Sequence, residues 1–168
     1  MMKNINLLTL LVQRSANVAL LTMCCLCAFS VSALEEGKNT QSAEDLVSLS
    51  INNISIEVEY ADEAHERQLG LMFRKEMCAD CGMLFKFDQI RYASMWMKNT
   101  YIPLDVAYIN AFGKITDIKA MEPENLSSIQ SSVPILYALE MNQGWFESKG
   151  ISVGDIVVLP LDVRQDSL

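Results

Sequence analysis

Several chemically distinct side chains follow one another in the stretch from Met95 to Asp105. An aromatic face beside fixed polar groups is typical of small-ligand pockets, so this bend predicts a site for a small molecule or a partner protein. The alternative is a purely structural corner, with the indole in the core, the amide in a turn and the ammonium in solvent. The groups are the indole of Trp96, the ammonium of Lys98, the amide of Asn99, the hydroxyl of Thr100 and the carboxylate of Asp105.

Three carboxylates are candidates for general acid–base chemistry: Asp105, Glu140 and Asp155. Two such groups can share the proton transfers of a hydrolytic reaction when the protein holds them close together. Glu140 interrupts an otherwise apolar run, so it is expected to be buried, and a buried acid usually has a charged partner. Asp105 and Glu140 are the candidate catalytic pair, and a buried ion pair is the structural alternative for Glu140. The cations that could supply this partner are Arg67, Arg74 and Lys98.

The cysteines that follow the N-terminal region form one Cys-X-X-Cys motif, Cys78-Ala-Asp-Cys81. In an exported protein such a pair is usually oxidised, so a structural disulfide is predicted. Two-residue spacing also suits thiol exchange, and metal binding is a further alternative. Thiolate and thioether ligands together select Cu(I), which makes copper the cofactor alternative; otherwise no cofactor is expected. The methionines near the cysteines or the bend are Met72, Met77, Met83, Met95 and Met97.

The N-terminal residues have the pattern of a secretory leader. Residues 1–33 carry two basic residues and no acid, and an apolar run ends at the small-residue site Val31-Ser32-Ala33. This pattern predicts a signal peptide that is cleaved after Ala33, and a periplasmic or secreted protein. The alternative is an uncleaved membrane anchor, because the uncharged span is just long enough to cross a bilayer.

One globular domain is expected after the leader. Residues 34–50 are polar and lack aromatic side chains, which predicts a flexible linker. The domain is predicted over residues 51–162, followed by a short tail over residues 163–168. A domain of this length can close one modest core without help from a partner, and a monomer is expected.

The charge balance excludes some classes of partner. The chain has 13 basic and 21 acidic residues, and removing the two basic residues of the leader leaves a net charge of 11 − 21 = −10. Nucleic-acid binding needs a basic surface, so no nucleic-acid partner is expected. Association with anionic lipid after cleavage is disfavoured for the same reason.

The elements that position these groups are mostly strands. Alternating apolar and polar residues predict a half-buried strand over 54–60, and similar runs predict strands over 82–87, 91–97, 106–109, 114–119, 134–141 and 156–159. Short helices are predicted from Asp62 to Gly70 and from Gln143 to Lys149. Short turns and the lack of strand–helix alternation predict a mainly β (or α+β) fold, a compact antiparallel sandwich or barrel with two short helices.

Motifs along this domain resemble the domain-of-unknown-function 192 family, also called uncharacterised protein family 0127. The resemblance implies a small, compact, β-rich domain of a kind often exported from bacteria. It implies no activity, because the family has none that can be carried over. The motifs are Arg67-Gln-Leu-Gly-Leu-Met-Phe-Arg74, Gly82-Met-Leu-Phe85, Trp96-Met-Lys-Asn-Thr100, Pro103-Leu-Asp105, Glu140-Met-Asn-Gln-Gly-Trp145, Lys149-Gly150 and Gly154-Asp155. The resemblance assigns no role to any of its motif positions, which are Arg67, Gly70, Met72, Arg74, Trp96, Lys98, Asn99, Thr100, Asp105 and Glu140.

The leading hypothesis is a non-enzymatic envelope domain that binds a small ligand or an envelope protein at the 96–105 bend, with Arg67 or Arg74 nearby. A hydrolytic enzyme that uses Asp105 and Glu140 is one alternative. A thiol-redox or copper protein that uses Cys78 and Cys81 is the other.

Overall fold

The computed structural model describes residues 46–161 and residue 163. The predicted signal peptide lies outside the described residues. The part of the chain that is described forms two short helices, α1 (Ala64–Leu69) and α2 (Trp145–Ser148). It also forms the strands β1 (Leu46–Ile51), β2 (Ile54–Ala61), β3 (Gly82–Arg91), β4 (Ser94–Met95), β5 (Leu104–Ile109), β6 (Ile115–Met121), β7 (Ile129–Gln130), β8 (Ile135–Asn142) and β9 (Val157–Val158).

Seven of these strands form one curled sheet, a half-barrel, in the order β6-β5-β8-β3-β2-β1-β9. Strands β4 and β7 form a separate two-stranded sheet. The predicted mainly β fold with two short helices is confirmed. The pairing is antiparallel except between β2 and β3, which run parallel because α1 and the loop over residues 70–81 carry the chain back across the sheet.

The central strands β5 and β8 are buried along almost their whole length, because both faces of the sheet are covered. On one face, termed the α2 face, the core includes Trp145 and Phe146 of α2. On the other, termed the bend face, it includes Met97 and Ile102 from the bend. Side chains alternate between these faces along each strand, so neighbouring residues of β5 and β8 enter different cores.

Helix α1 is held mainly by its ends, since none of its residues is buried. Glu63 is the N-cap, and Glu66 in the first turn accepts a hydrogen bond from the backbone N–H of Glu63 at 3.1 Å. The reciprocal bonds of Glu63 and Glu66 form a capping box, which satisfies backbone donors that the helix leaves free. Gly70 ends the helix with φ +48°, a conformation that glycine adopts at low cost.

Two predicted boundaries are wrong. The predicted flexible linker includes residues 46–50, but these belong to β1, which pairs with β2 along its length and with β9. Val47 and Leu49 point into the α2-face core, so alternation in this short run was masked by its serines. Val163, predicted to start a free tail, is also buried in that core.

The predicted strand over residues 91–97 is wrong as well. Strand β3 continues to Arg91, and the chain then forms only the two-residue strand β4 before the bend. Ser131 explains part of this geometry, since its hydroxyl accepts a hydrogen bond from the N–H of Ala93 at 3.1 Å and its own N–H donates to the Ala93 carbonyl at 2.9 Å. Within the described part of the chain, no helix is both long and apolar enough to cross a membrane.

Candidate functional site

A small pocket, partly open to solvent, lies on the bend face and is termed the Glu140 pocket. One wall comes from α1 and the residues after it, and another from β4 and the bend. The sheet supplies the remaining wall. The lining residues are Arg67, Gln68, Leu69, Gly70, Leu71, Met72, Phe85, Met95, Trp96, Thr100 and Glu140.

Glu140 is the acidic residue of this pocket. It lies in β8 opposite Met83 of β3 and Val106 of β5, and both of these neighbours belong to the bend-face core. Its residue exposure is only 4%, and no side chain in the described part of the chain hydrogen-bonds or ion-pairs with its carboxyl group. Burial raises the pKa of Glu140 from 4.5 to about 8, because the charged form loses its hydration without gaining a partner.

Trp96 and Thr100 reach the same pocket from the bend. Residues 98 and 99 form the turn, in which Asn99 has φ +54° and its carbonyl accepts a hydrogen bond from the N–H of Phe73 at 2.7 Å. Asparagine tolerates this left-handed conformation better than most residues. The turn leaves Trp96 49% exposed and buries Thr100, so the pocket has an open aromatic edge and a hydroxyl deeper inside.

Lys98 lies outside the pocket lining. Its Nζ atom lies 5.3 Å from the centroid of the Trp96 ring, within the range of a cation–π contact. The Asn99 side chain also lies outside the lining, with its Nδ2 atom 4.0 Å from the Met72 sulfur.

Arg67 lies in the pocket wall with its guanidinium already engaged. Its Nη1 atom donates to the carbonyls of Asp62 and Lys86, and its Nη2 atom donates to both carboxylate oxygens of Asp88 at 2.9 and 3.1 Å. Its side chain is 14% exposed. Arg67 therefore ties α1 to β3 and is not the partner of Glu140.

Arg74 is placed away from the pocket lining. Its guanidinium forms a two-pronged ion pair with the carboxylate of Glu59 on β2. With Arg67 engaged by Asp88 and Lys98 over the Trp96 ring, the expected ion pair between Glu140 and one of these three cations is wrong.

Asp105 lies on the opposite face of the sheet from Glu140. It pairs with Met141, one residue beyond Glu140, and its Oδ2 atom accepts a hydrogen bond from the N–H of Gly144 at 2.7 Å. Because successive strand residues point to opposite faces, the expected catalytic pair of Asp105 and Glu140 is wrong. Asp105 instead holds the chain at the start of α2. Asp155 is also structural, since its Oδ2 atom accepts bonds from the Ser152 N–H and the Asn52 side chain.

Cys78 and Cys81 form a disulfide, as predicted. The disulfide loop is fixed to α2 through Asp80, whose Oδ1 atom accepts bonds from Trp145 Nε1 and Lys149 Nζ, each at 2.8 Å. The bond from Lys149 makes the largest contribution to lowering the pKa of Asp80, and the bond from Trp145 makes the next largest. Beside the loop is a wider, more open pocket, lined by Met77, Ala79, Asn142, Gln143, Gly144, Trp145 and Ser148.

The methionines considered as copper ligands are divided among several places. Met72 and Met95 line the Glu140 pocket, Met77 lines the pocket beside the disulfide, and Met83 and Met97 lie in the bend-face core. Among residues 46–161 and 163, no group of three or more histidine, cysteine, aspartate or glutamate side chains is placed to hold a metal ion.

Comparison with known proteins identifies the family. The sequence profile of DUF192, Uncharacterized ACR, matches residues 47–159, which span β1 to the end of β9. This chain belongs to the DUF192 family. No curated protein matches this DUF192 chain.

Two solved structures are similar to this DUF192 protein. One is from Sinorhizobium meliloti 1021 and is provisionally described as a transcription regulator; it is 39% identical, with a TM-score of 0.63, over 67% of this chain and 90% of that one. The other, from Novosphingobium aromaticivorans DSM 12444, is a protein of unknown function; it is 30% identical, with a TM-score of 0.64, over 67% of this chain and 84% of that one.

The pocket gathers much of the motif pattern that resembles DUF192. Six of those motif positions line it: Arg67, Gly70, Met72, Trp96, Thr100 and Glu140. Sequence reasoning missed that Glu140, rather than Asp105, belongs with Trp96. The available signal was an acid inside an apolar run, but the order of β3, β8 and β5 in the sheet was needed to place it. The other missed lining residues are Gln68, Leu69, Leu71, Phe85 and Met95.

Proposed function

We propose that this protein is an exported, non-enzymatic binding domain that holds a small ligand in the Glu140 pocket. The observation that carries the proposal is a buried acid without a partner in the described part of the chain, at the wall of an open pocket beside a half-exposed indole. A desolvated polar group costs free energy unless something satisfies it, and a ligand is a natural source of that partner.

A binding role fits these residues better than two-carboxylate hydrolysis. Glu140 and Asp105 point to different faces of the sheet, so a ligand beside Glu140 would not meet a second acid from Asp105. The provisional regulator description belongs to the Sinorhizobium protein. With a formal net charge of −8, the present chain lacks the basic excess on which nucleic-acid binding depends.

Tryptophan fluorescence tests ligand binding at this site. Trp96 is exposed and lines the pocket, whereas Trp145 is buried on the other face, so the two indoles report separately. In a screen of sugars, nucleotides, amino acids, amines and short peptides, we expect a ligand to change Trp96 emission and raise the melting temperature. Trp96→Ala should weaken that ligand about tenfold, because stacking or cation–π contact with the ring is lost.

Trp145→Phe is the matched control, because it removes the other indole and leaves the pocket intact. It should preserve both the emission change and the affinity. An unchanged affinity in Trp96→Ala would place the binding site elsewhere, and a screen in which no compound affects either readout would contradict the proposal.

Export is tested by the mass of the mature protein. The leader pattern of residues 1–33 supports cleavage after Ala33. In a bacterial host, the exported protein should start at Leu34 by intact-mass measurement. Replacing Ala33 with a bulky residue such as Tyr should cause the uncleaved precursor to accumulate in the membrane fraction. A full-length cytosolic product from the unmodified sequence would overturn this part of the proposal.

A further inference from the structure

We propose that the Glu140 pocket selects ligands that carry a protonated amine, whose ammonium pairs with the Glu140 carboxylate and contacts the Trp96 ring. This inference rests on the proposed binding function and assigns its ligand class. The observations that support it are the buried carboxyl group without a cation, the pairing of the neighbouring cations and the groups that an ammonium could contact.

The pocket has an acid that lacks a cation. Arg67 is the basic residue of the lining, but both terminal nitrogens of its guanidinium already donate to Asp88 and to two backbone carbonyls. Arg74 is engaged by Glu59. A cationic ligand would supply the partner that the ionised carboxylate lacks, whereas a carboxylate or phosphate would bring a like charge to Glu140 once it has ionised.

The bend supplies groups that suit an ammonium. The Trp96 ring already has the Lys98 ammonium at 5.3 Å, which indicates that its π-system is accessible to a cation. Thr100 uses its hydroxyl hydrogen on the Lys98 carbonyl at 3.3 Å, so the oxygen remains an acceptor. Around them, Leu69, Met72 and Met95 offer an apolar wall for the hydrocarbon part of an amine.

The charged and titratable groups near Glu140 come from α1, β2, β5, β6 and the bend. On β6, Lys119 is in register with Val106, the β5 neighbour of Glu140, and its ammonium lies 3.6 Å from the Asp117 carboxylate. Arg67 faces the pocket from α1, and the Glu59–Arg74 pair lies on the same side of the sheet beyond β3. Tyr108 of β5 has a pKa that is raised mainly by burial and in part by the charge of Glu140. Lys98 lies over the Trp96 ring and would repel a second cation, so its removal should strengthen amine binding.

Proton linkage gives this ligand class a specific signature. Glu140 has a pKa of about 8 in the folded protein, so it is mostly protonated near pH 6 and must release its proton to pair with an ammonium. Alkylamines stay protonated throughout this range. Affinity should therefore rise about tenfold per pH unit below pH 8, with about one proton released per amine bound near pH 6.

Calorimetric titration of the full mature chain with butylamine, 1-butanol and butyrate tests the inference. We expect butylamine to bind at least tenfold more tightly than either of the others near pH 7.5, and to release a proton when buffers of different ionisation enthalpy are compared. Glu140→Gln should reduce butylamine affinity to the level of butanol and abolish the proton release. Glu147→Gln, which removes an exposed acid of α2 outside the pocket lining, is the matched control. It should change neither the butylamine affinity nor the proton release.

The outcomes separate this inference from the binding function on which it rests. Butyrate or butanol binding at Trp96 as tightly as butylamine would overturn the ammonium assignment while leaving a ligand site in place. Butylamine binding that is unchanged in Glu140→Gln would overturn the ammonium assignment in the same way. If Glu140→Gln fails to fold, Lys98→Gln decides, since stronger butylamine binding supports the assignment and weaker binding contradicts it.

Discussion

Glu140→Gln is expected to remove a fall in stability that the wild-type protein shows between pH 5.5 and pH 7.5. The pKa of Glu140 is about 8 when folded and 4.5 in its ordinary state, so the unfolded chain releases this proton first as pH rises. Because the folded state binds more protons between these values, stability decreases with pH, by up to about 1.4 kcal/mol per unit. Across the two pH values the loss should be on the order of 2 kcal/mol.

Urea denaturation of both proteins at the two pH values measures this effect. The pKa values of Asp80 and Asp117 are lowered, so these groups titrate mainly below this window and act equally in both proteins. The comparison therefore isolates Glu140. We expect the denaturation midpoint of wild type to fall with pH more than that of Glu140→Gln. Parallel pH dependence in the two proteins would show that Glu140 is solvated or paired in the fold.

Gly82→Ala is the second substitution with a large expected effect. Gly82 begins β3 opposite Met141 of β8, and a Cβ atom there would lie 2.3 Å from the Glu140 carbonyl oxygen and 2.3 Å from the Met141 sulfur. The sulfur could move, but the carbonyl belongs to the backbone of a central strand. We expect a loss of about 3–5 kcal/mol, which is a large share of the stability of a small domain.

Gly150→Ala provides the control, because it adds the same methyl group in open space. Gly150 has φ +66° and no atom within 4 Å of the added Cβ, so only backbone strain of about 1 kcal/mol is expected. Chemical denaturation gives the free energy of unfolding of both variants. Comparing the two values separates the cost of the steric clash from the cost of replacing a glycine in an open position. Equal losses in the two variants would contradict the close approach of β3 and β8.

Both substitutions concern the same part of the molecule. Gly82 lets β3 approach the backbone of Glu140, and this close pairing is what surrounds the Glu140 side chain with Met83 and Val106. The buried acid lowers stability at neutral pH, and such costs are typical of residues that serve binding rather than folding. A ligand that supplies a positive charge would recover part of that cost.

The sequence alone was sufficient for the features that depend on neighbouring residues. Alternating side chains predicted β2, and the runs over 106–109 and 134–141 predicted most of β5 and β8, because burial imposes such patterns along a single strand. The Cys78–Cys81 disulfide was predicted because a Cys-X-X-Cys pair in an exported protein is usually oxidised. The bend between Met95 and Asp105 was predicted from the polar side chains that follow one another there.

Tertiary structure decided which of these residues meet. Residues 46–50 were predicted to belong to a polar linker, but pairing with β2 and β9 makes them a strand. Asp105 and Glu140 were the candidate catalytic pair, yet the register of β5 against β8 puts them on opposite faces. Register depends on contacts between segments far apart in the chain, and a shift of one residue would exchange the faces. The meeting of Glu140 with Trp96 and Thr100 therefore follows from the order of strands in the sheet, which no local pattern of residues specifies.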